Sequence, residues 1–186
     1  MTRRQPTRTA GTVAQGCTRD GANGAASWLF WGGGLVGMYL EDFEVGQSFV
    51  SPTRTVTETD VVMFAALSGD YNEVHTSETW AATKGPFGRR VAHGLLCLGL
   101  GHALMLRLGI LEGTAVALLG MENWQFTAPV FFGDTLHVEF DVAATRPSRS
   151  QPDRGIVSLD CRYLNQDGMV TQRGRLALMV RCRPEV

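Results

Sequence analysis

The sequence has little lysine, no pair of cysteines at metal-binding spacing and no excess of either charge. Its 186 residues hold 17 Lys and Arg against 18 Asp and Glu, which gives a formal net charge of −1. Without a basic excess, a broad surface that neutralises phosphates is not expected, so nucleic acid is not an expected partner. Only Lys84 is a lysine and the other basic residues are arginine, which we interpret as a composition bias of the source genome.

The four cysteines, Cys17, Cys97, Cys161 and Cys182, show no C-x-x-C and no nearby paired histidines. A disulfide framework or a zinc site is therefore not expected, and a reducing compartment, the cytoplasm, fits best. The longest apolar run, Gly94–Leu108, would form a helix roughly 22 Å long at ~1.5 Å per residue, which is short for a bilayer. No membrane association is predicted.

Residues 1–38 differ in composition from the remainder. They carry arginines with Asp20 as the only acid and include the run Trp31-Gly32-Gly33-Gly34. A twin-arginine signal or an organelle transit peptide competes with a disordered tail or a misassigned start. We favour the tail or misassigned start, because the apolar stretch lies far from the arginines and is interrupted by glycines. The domain is expected at residues 39–186.

The first half of that domain reads as a short strand and a helix followed by a polar segment. Residues 49–56 predict the strand, and Thr57 with Asp60 has the spacing of a capping box that begins a helix. Gly69 is predicted to end the helix. Residues 70–90 are polar and interrupted by glycine and proline, so we expect a long ordered loop or a pair of short helices.

The second half predicts one buried helix and an antiparallel sheet. The run 94–108 is apolar on nearly all sides, so it should be buried on nearly all sides. Residues 115–126, 136–142, 157–163 and 170–180 predict strands, and alternation is clean from Leu136 to Val142. The expected fold class is α+β, with about five antiparallel strands wrapped around one long central helix. A hotdog fold is consistent with this architecture.

Asp70 and His75 are the first candidates for chemistry. Five residues apart, they would lie on different faces of a continuous helix, but a break at Gly69 allows a loop to turn both toward one point. An Asp/His pair can position a water and move its proton near neutral pH. Gly94, at the start of the buried helix, offers a backbone N–H suited to a developing oxyanion. Each signal alone is also compatible with a turn residue or a structural histidine.

The combined motifs are more specific. S-G-D-x-N-x-x-H ends at His75, and A-H-G-L-L begins at Ala92. Together with the segment Phe126–Thr135, they resemble the MaoC-like dehydratase, or R-specific enoyl-CoA hydratase, family over residues 39–182. The resemblance implies hydration of a trans-2-enoyl-CoA to an (R)-3-hydroxyacyl-CoA, or the reverse, in a homodimer.

What the resemblance implies for this chain is a water activated by Asp70 and His75 and a thioester carbonyl polarised by the Gly94 N–H. The candidate substrate-binding residues are Asn72, Ala92, His93 and His102. The coenzyme A thioester is the substrate, with no metal and no other cofactor.

Two departures from the family pattern and two rival functions remain. Glu73 stands where the family usually has proline, and His102 stands where many relatives carry a small polar residue; His102 either shortens the acyl pocket or is a core histidine. Arg89 and Arg90 could meet phosphates of coenzyme A or be solvated charges.

A thioesterase would need a carboxylate in the central helix, which residues 94–109 lack. A non-catalytic acyl-CoA-binding module is the other alternative.

Overall fold

The computed structural model describes residues 37–184, which form an α+β domain. A short 3₁₀ helix at Leu40–Asp42 precedes two short strands, β1 (Ser48–Val50) and β2 (Arg54–Thr55). Three helices and the central helix follow: α1 (Glu58–Ser68), α2 (Glu73–Thr76), α3 (Glu78–Thr83) and α4 (Gly94–Leu106). The chain then forms the long strands β3 (Ala115–Phe126), β4 (Thr135–Pro147), β5 (Arg154–Leu164) and β6 (Val170–Arg181).

The capping box predicted for the first helix is present. The Thr57 hydroxyl accepts from the Asp60 N–H at 3.2 Å, and an Asp60 carboxylate oxygen accepts from the Thr57 N–H at 2.8 Å. Gly69 ends α1 in a left-handed conformation with φ of 77°, which glycine adopts without steric cost. The polar segment that follows contains two short helices, α2 and α3. A pair of short helices was one of the two alternatives predicted for it, and a long ordered loop was the other.

The sheet is antiparallel, with six strands where about five were predicted. Its order is β1-β4-β5-β6-β3, and β2 pairs separately with β4. The single strand predicted at residues 49–56 is divided into β1 and β2 around Pro52, whose nitrogen cannot donate a ladder hydrogen bond. The four long strands include the residues predicted for them, and β4 continues five residues beyond the predicted end at Val142.

The concave face of the sheet packs against α4. Buried side chains of the three central long strands form most of this core, among them Val138, Phe140, Leu159, Tyr163 and Leu176. At Gly101 a side-chain carbon would overlap the Tyr163 ring. Glycine at this position therefore allows the helix to lie directly on the sheet.

The expectation that α4 is buried on nearly all sides is wrong. Cys97, Gly101, Leu104 and Met105 are buried, but Leu95 is 63% exposed and Leu106 is 44% exposed. A single curved sheet covers one side of a helix, and α1 contacts only part of the remainder. Within residues 37–184, an apolar stripe of the central helix thus stays exposed.

The segment assigned to a tail or a misassigned start lies outside the described residues, except for Gly37 and Met38. These two donate backbone hydrogen bonds to the carbonyls of Glu112, at 2.6 Å, and Ile110, at 2.7 Å. Among the helices that the structure describes, none has the length and apolar character needed to cross a membrane.

Candidate active site

The segment between α1 and α4 brings Asp70 and His75 together. Gly69 ends α1, and Asp70 follows it directly. The Asn72 side chain accepts from the Val74 N–H at 3.1 Å and so caps α2, which carries His75. As a result, Asp70 Oδ2 and His75 Nε2 lie 4.0 Å apart, too far for a direct hydrogen bond but close enough for one small molecule to contact both.

The hydrogen bond of His75 defines which of its nitrogens is available. Nδ1 lies 2.8 Å from the carbonyl oxygen of Val91. A carbonyl oxygen only accepts, so Nδ1 carries the proton and Nε2 of the neutral ring is an acceptor. Nε2 is also the atom that faces Asp70, which gives His75 a lone pair able to take a proton at this point.

His93 packs against the same pair, but its proton is on the other ring nitrogen. Its Nε2 is 2.9 Å from the Asp70 carbonyl oxygen, so Nε2 is the protonated nitrogen. The ring stacks on His75 with centroids 3.8 Å apart and contacts Phe64 at 4.9 Å. His93 is 2% exposed and has no free lone pair toward Asp70. Its contacts orient the Asp70 backbone and the His75 ring.

The N-terminus of α4 meets His75 at a cavity of about 400 Å³. Ala92 and Gly94 line this cavity, as do His75, Phe126 and Gln172. Gly94 is the first residue of α4, so its N–H has no acceptor within the helix. A side-chain carbon at Gly94 would lie 2.8 Å from the Phe126 ring, closer than packed carbons approach. The cavity thus combines a proton acceptor with a backbone donor.

Two arginines hold the surrounding segment in place. Arg90 pairs with Glu58 of α1 at 2.8 Å and with Glu78 of α3 at 2.7 Å. Arg89 places its guanidinium 3.7 Å from the centre of the Phe131 ring. Arg90 therefore links the helices on both sides of the Asp70–His75 segment, a role that the sequence did not indicate.

The other predicted site residues lie apart from the cavity lining. Asn72 caps α2, as described above. His102 lies on α4 two turns beyond Gly94 and is half-buried; burial lowers the pKa of its imidazole. Its buried Nδ1 has no hydrogen-bond partner among the described residues. The structure thus brings Asp70 and His93 to His75, and it places His75, Ala92 and Gly94 in the cavity lining. Asp70, His93, Asn72 and His102 are not among the lining residues.

Cys97 and Gln172 were missed as cavity residues. Burial raises the pKa of the Cys97 thiol to about 12, so the thiol stays protonated and unreactive near neutral pH. Gln172 is 1% exposed and points inward from β6. The sequence could have predicted this orientation, because Gln172 lies an even number of residues before Leu176, Leu178 and Val180 and therefore points to the same face of the strand.

Asp70, His75 and His93 are also a possible metal-ligating group, because one ligand atom from each lies within 4.8 Å of the others. A metal on His93 Nε2 would have to displace the proton that this nitrogen donates to the Asp70 carbonyl. The donor set thus fits a metal poorly.

Comparison with known proteins identifies the family. The model of the MaoC-like domain matches residues 42–160, which include the Asp70–His75 segment and the start of α4. The chain belongs to the MaoC-like dehydratase family. Membership in it makes the protein an enzyme of the hydratase and dehydratase, or lyase, class, as the motifs predicted.

Individual relatives of this MaoC-like protein agree with the assignment. It is 33% identical over 137 residues to the (R)-specific enoyl-CoA hydratase of Aeromonas caviae, a match that covers 74% of this chain and 95% of the relative. It is 40% identical over 100 residues to Protein MaoC of Klebsiella aerogenes, covering 54% of this chain but only 29% of that longer protein.

Solved structures confirm the hotdog fold. The MaoC-like dehydratase from Rhodospirillum rubrum is 34% identical, with a TM-score of 0.69, over 80% of this chain and all of that one. A Mycobacterium tuberculosis protein with a double hotdog fold superimposes with a TM-score of 0.67 at 18% identity, over 81% of this chain and 46% of that one. The second similarity bears on the fold alone.

Proposed function

We propose that the protein adds water to trans-2-enoyl-CoA to give (R)-3-hydroxyacyl-CoA, or catalyses the reverse dehydration. The observation that carries the proposal is the 4.0 Å separation of Asp70 Oδ2 and His75 Nε2, with Gly94 lining the same cavity as His75. The (R)-specific hydratase named above supports the substrate class and the stereochemistry.

In the hydration direction, one water binds between Asp70 Oδ2 and His75 Nε2. The lone pair of His75 accepts a proton from this water as its oxygen bonds to the β-carbon, and the electrons of the double bond move toward the thioester oxygen. The Gly94 N–H donates to that oxygen as its negative charge develops. The proton then passes from the Asp70–His75 pair to the α-carbon, which restores the resting state.

A panel of trans-2-enoyl-CoA esters, from crotonyl upward, tests this function with the full chain. We expect the enoyl absorbance to fall, an (R)-product to form and no free thiol to appear. Thiol release would instead identify a thioesterase. Binding of coenzyme A esters without turnover of any chain would favour the acyl-CoA-binding module.

The proposed chemistry uses no metal and no cofactor besides the coenzyme A of the substrate. The thioester withdraws electrons from the β-carbon, and the backbone donor holds the enolate charge. Incubation with EDTA followed by gel filtration is expected to leave kcat unchanged within about twofold. A metal ion would activate the water or polarise the thioester oxygen, and here the Asp70–His75 pair and the Gly94 N–H are proposed to do so. Loss of activity that Zn²⁺ or Mg²⁺ restores would contradict this expectation.

We also propose that two copies of the chain form a homodimer through β3. This strand ends the sheet, and within the described residues only β6 pairs with it. Several of its apolar side chains are exposed, namely Val116, Leu118, Leu119, Met121 and Phe126. An exposed apolar edge strand is a template for pairing with another chain.

Leu118→Glu is expected to convert a wild-type dimer into a monomer, because burial of an unpaired carboxylate in the interface is unfavourable. Light scattering during size-exclusion chromatography at about 10 μM would measure the mass. Val62→Glu, which places the same charge at a 58% exposed position on α1, should remain dimeric. A monomeric wild type, or a dimeric Leu118→Glu variant, would contradict this interface.

A further inference from the structure

An irregularity in β3 lies directly beside the candidate site. Glu122 pairs with Arg175 and Gln125 pairs with Arg173, so two residues of β3, Asn123 and Trp124, face Gly174 alone. Asn123 has a φ of 51°, in the left-handed region. This is a β-bulge, a feature that redirects side chains and is frequent beside active sites.

The bulge directs Trp124 toward the inside of the sheet. The indole packs edge-on against Tyr163, with ring centroids 5.3 Å apart. It also covers Gly174, where a side-chain carbon would lie 2.6 Å from indole Cε3. A glycine opposite the bulge therefore makes room for the indole and fixes its position.

From this position Trp124 begins a chain of hydrogen bonds that ends on Gly94. Its indole Nε1 donates to Gln172 Oε1 at 3.1 Å, and Gln172 Nε2 donates to the Gly94 carbonyl oxygen at 2.9 Å. An indole N–H only donates and a carbonyl only accepts. The Gln172 amide can satisfy both only in this orientation, so Trp124 determines which end of the amide meets Gly94.

The hydrogen bond from Gln172 is made to Gly94, a residue whose backbone conformation has to be restrained. Gly94 has the conformational freedom of glycine and begins α4, where the preceding residue, His93, provides no side-chain cap. Its conformation sets the direction of the peptide N–H that the proposed reaction uses.

We propose that Gln172, oriented by Trp124, is a positioning residue that holds Gly94 so that its N–H stays aimed at the thioester oxygen. The inference rests on the proposed function, since that function assigns a role to the Gly94 N–H. Gln172 acts through Gly94 and takes no part in proton transfer.

Two variants and one control test this role. Trp124→Phe removes the indole N–H but keeps an aromatic ring against Tyr163, and Gln172→Met removes both hydrogen bonds at similar volume. Arg173→Met is the matched control, because the adjacent side chain of β6 leaves the other face of the sheet, where it donates to Gln125 at 2.9 Å. Should Gln172→Met fail to fold, Trp124→Phe carries the test.

The measurements are steady-state kinetics with crotonyl-CoA and the NMR order parameter of the Gly94 amide without substrate. We expect both variants to lower kcat about 10- to 100-fold with KM within about threefold, since a misaligned oxyanion donor loses transition-state stabilisation. The Gly94 order parameter should fall from about 0.85 toward the flexible range, below about 0.6. Arg173→Met should change neither quantity.

Unchanged kcat in both folded variants would overturn the proposal, as would a rise in KM alone with an unchanged Gly94 order parameter. The NMR measurement also separates this inference from the proposed function. If the wild type hydrates no enoyl thioester, the function fails; the Gln172 support for Gly94 still stands if the order parameter falls in the variants, and it fails if the order parameter is unchanged.

Discussion

Asp70→Asn is expected to lower kcat for enoyl-CoA hydration by about 10³-fold, in the middle of the range for loss of a general acid–base group. Asparagine has nearly the same shape and can still accept the Asn72 N–H, as Asp70 Oδ1 does at 3.2 Å. It loses the carboxylate oxygen that lies 4.0 Å from His75 Nε2. An amide NH₂ facing that lone pair would occupy the acceptor that water needs.

Glu73→Gln is the matched control for this variant. Glu73 is an exposed carboxylate three residues along the same segment, and its neutralisation removes the same charge without touching the Asp70–His75 pair. Steady-state kinetics should give a kcat within about twofold of wild type. Comparable losses in Glu73→Gln and Asp70→Asn would mean that net charge, rather than the proposed proton transfer, governs the rate.

Gly94→Ala is expected to lower kcat by about 10²-fold, with the protein still folded. The added methyl would lie 2.8 Å from the Phe126 ring, so either the ring or the first turn of α4 must move. Movement of the turn displaces the backbone donor, and loss of one such donor costs about 10²- to 10³-fold in other enzymes. Circular dichroism and steady-state kinetics would measure folding and rate.

The control for this variant is Gly99→Ala on the same helix, because no atom beyond its chain neighbours and the backbone of its own helix lies within 4 Å of the added carbon. It should leave kcat near the wild-type value. The double variant Gly94→Ala/Phe126→Ala should recover at least about tenfold in kcat, since the obstructing ring is removed. Equal rates in the single and double variants would show that the steric account is incorrect.

Local signals in the sequence predicted most of the fold. The Thr57 and Asp60 capping box and the stop at Gly69 depend only on neighbouring residues, and strand alternation depends on one buried face. The burial of α4 could not be predicted in the same way. An apolar helix indicates that its surface is covered, but not whether the cover belongs to its own chain or to a second copy.

The site was predictable in its parts and not in its arrangement. The motif spacing identified Asp70 and His75, because a helix break between them allows convergence. The His75–His93 stacking and the bond from Gln172 to Gly94 join residues 18 and 78 positions apart in the chain. Spacing carries no information on such contacts, which depend on how the sheet curves around α4.

The partial exposure of Asp70 has a consequence for how the two reactants arrive. Half of its side chain is open to solvent, whereas His75 is 13% exposed and lines the cavity with Gly94. Asp70 is thus the solvent-exposed member of the pair, and His75 is the member that lines the cavity. We expect water to reach the pair from the solvent at Asp70 while the thioester occupies the cavity at His75. Oxygen from the solvent can then exchange repeatedly into the bound acyl chain before the thioester dissociates.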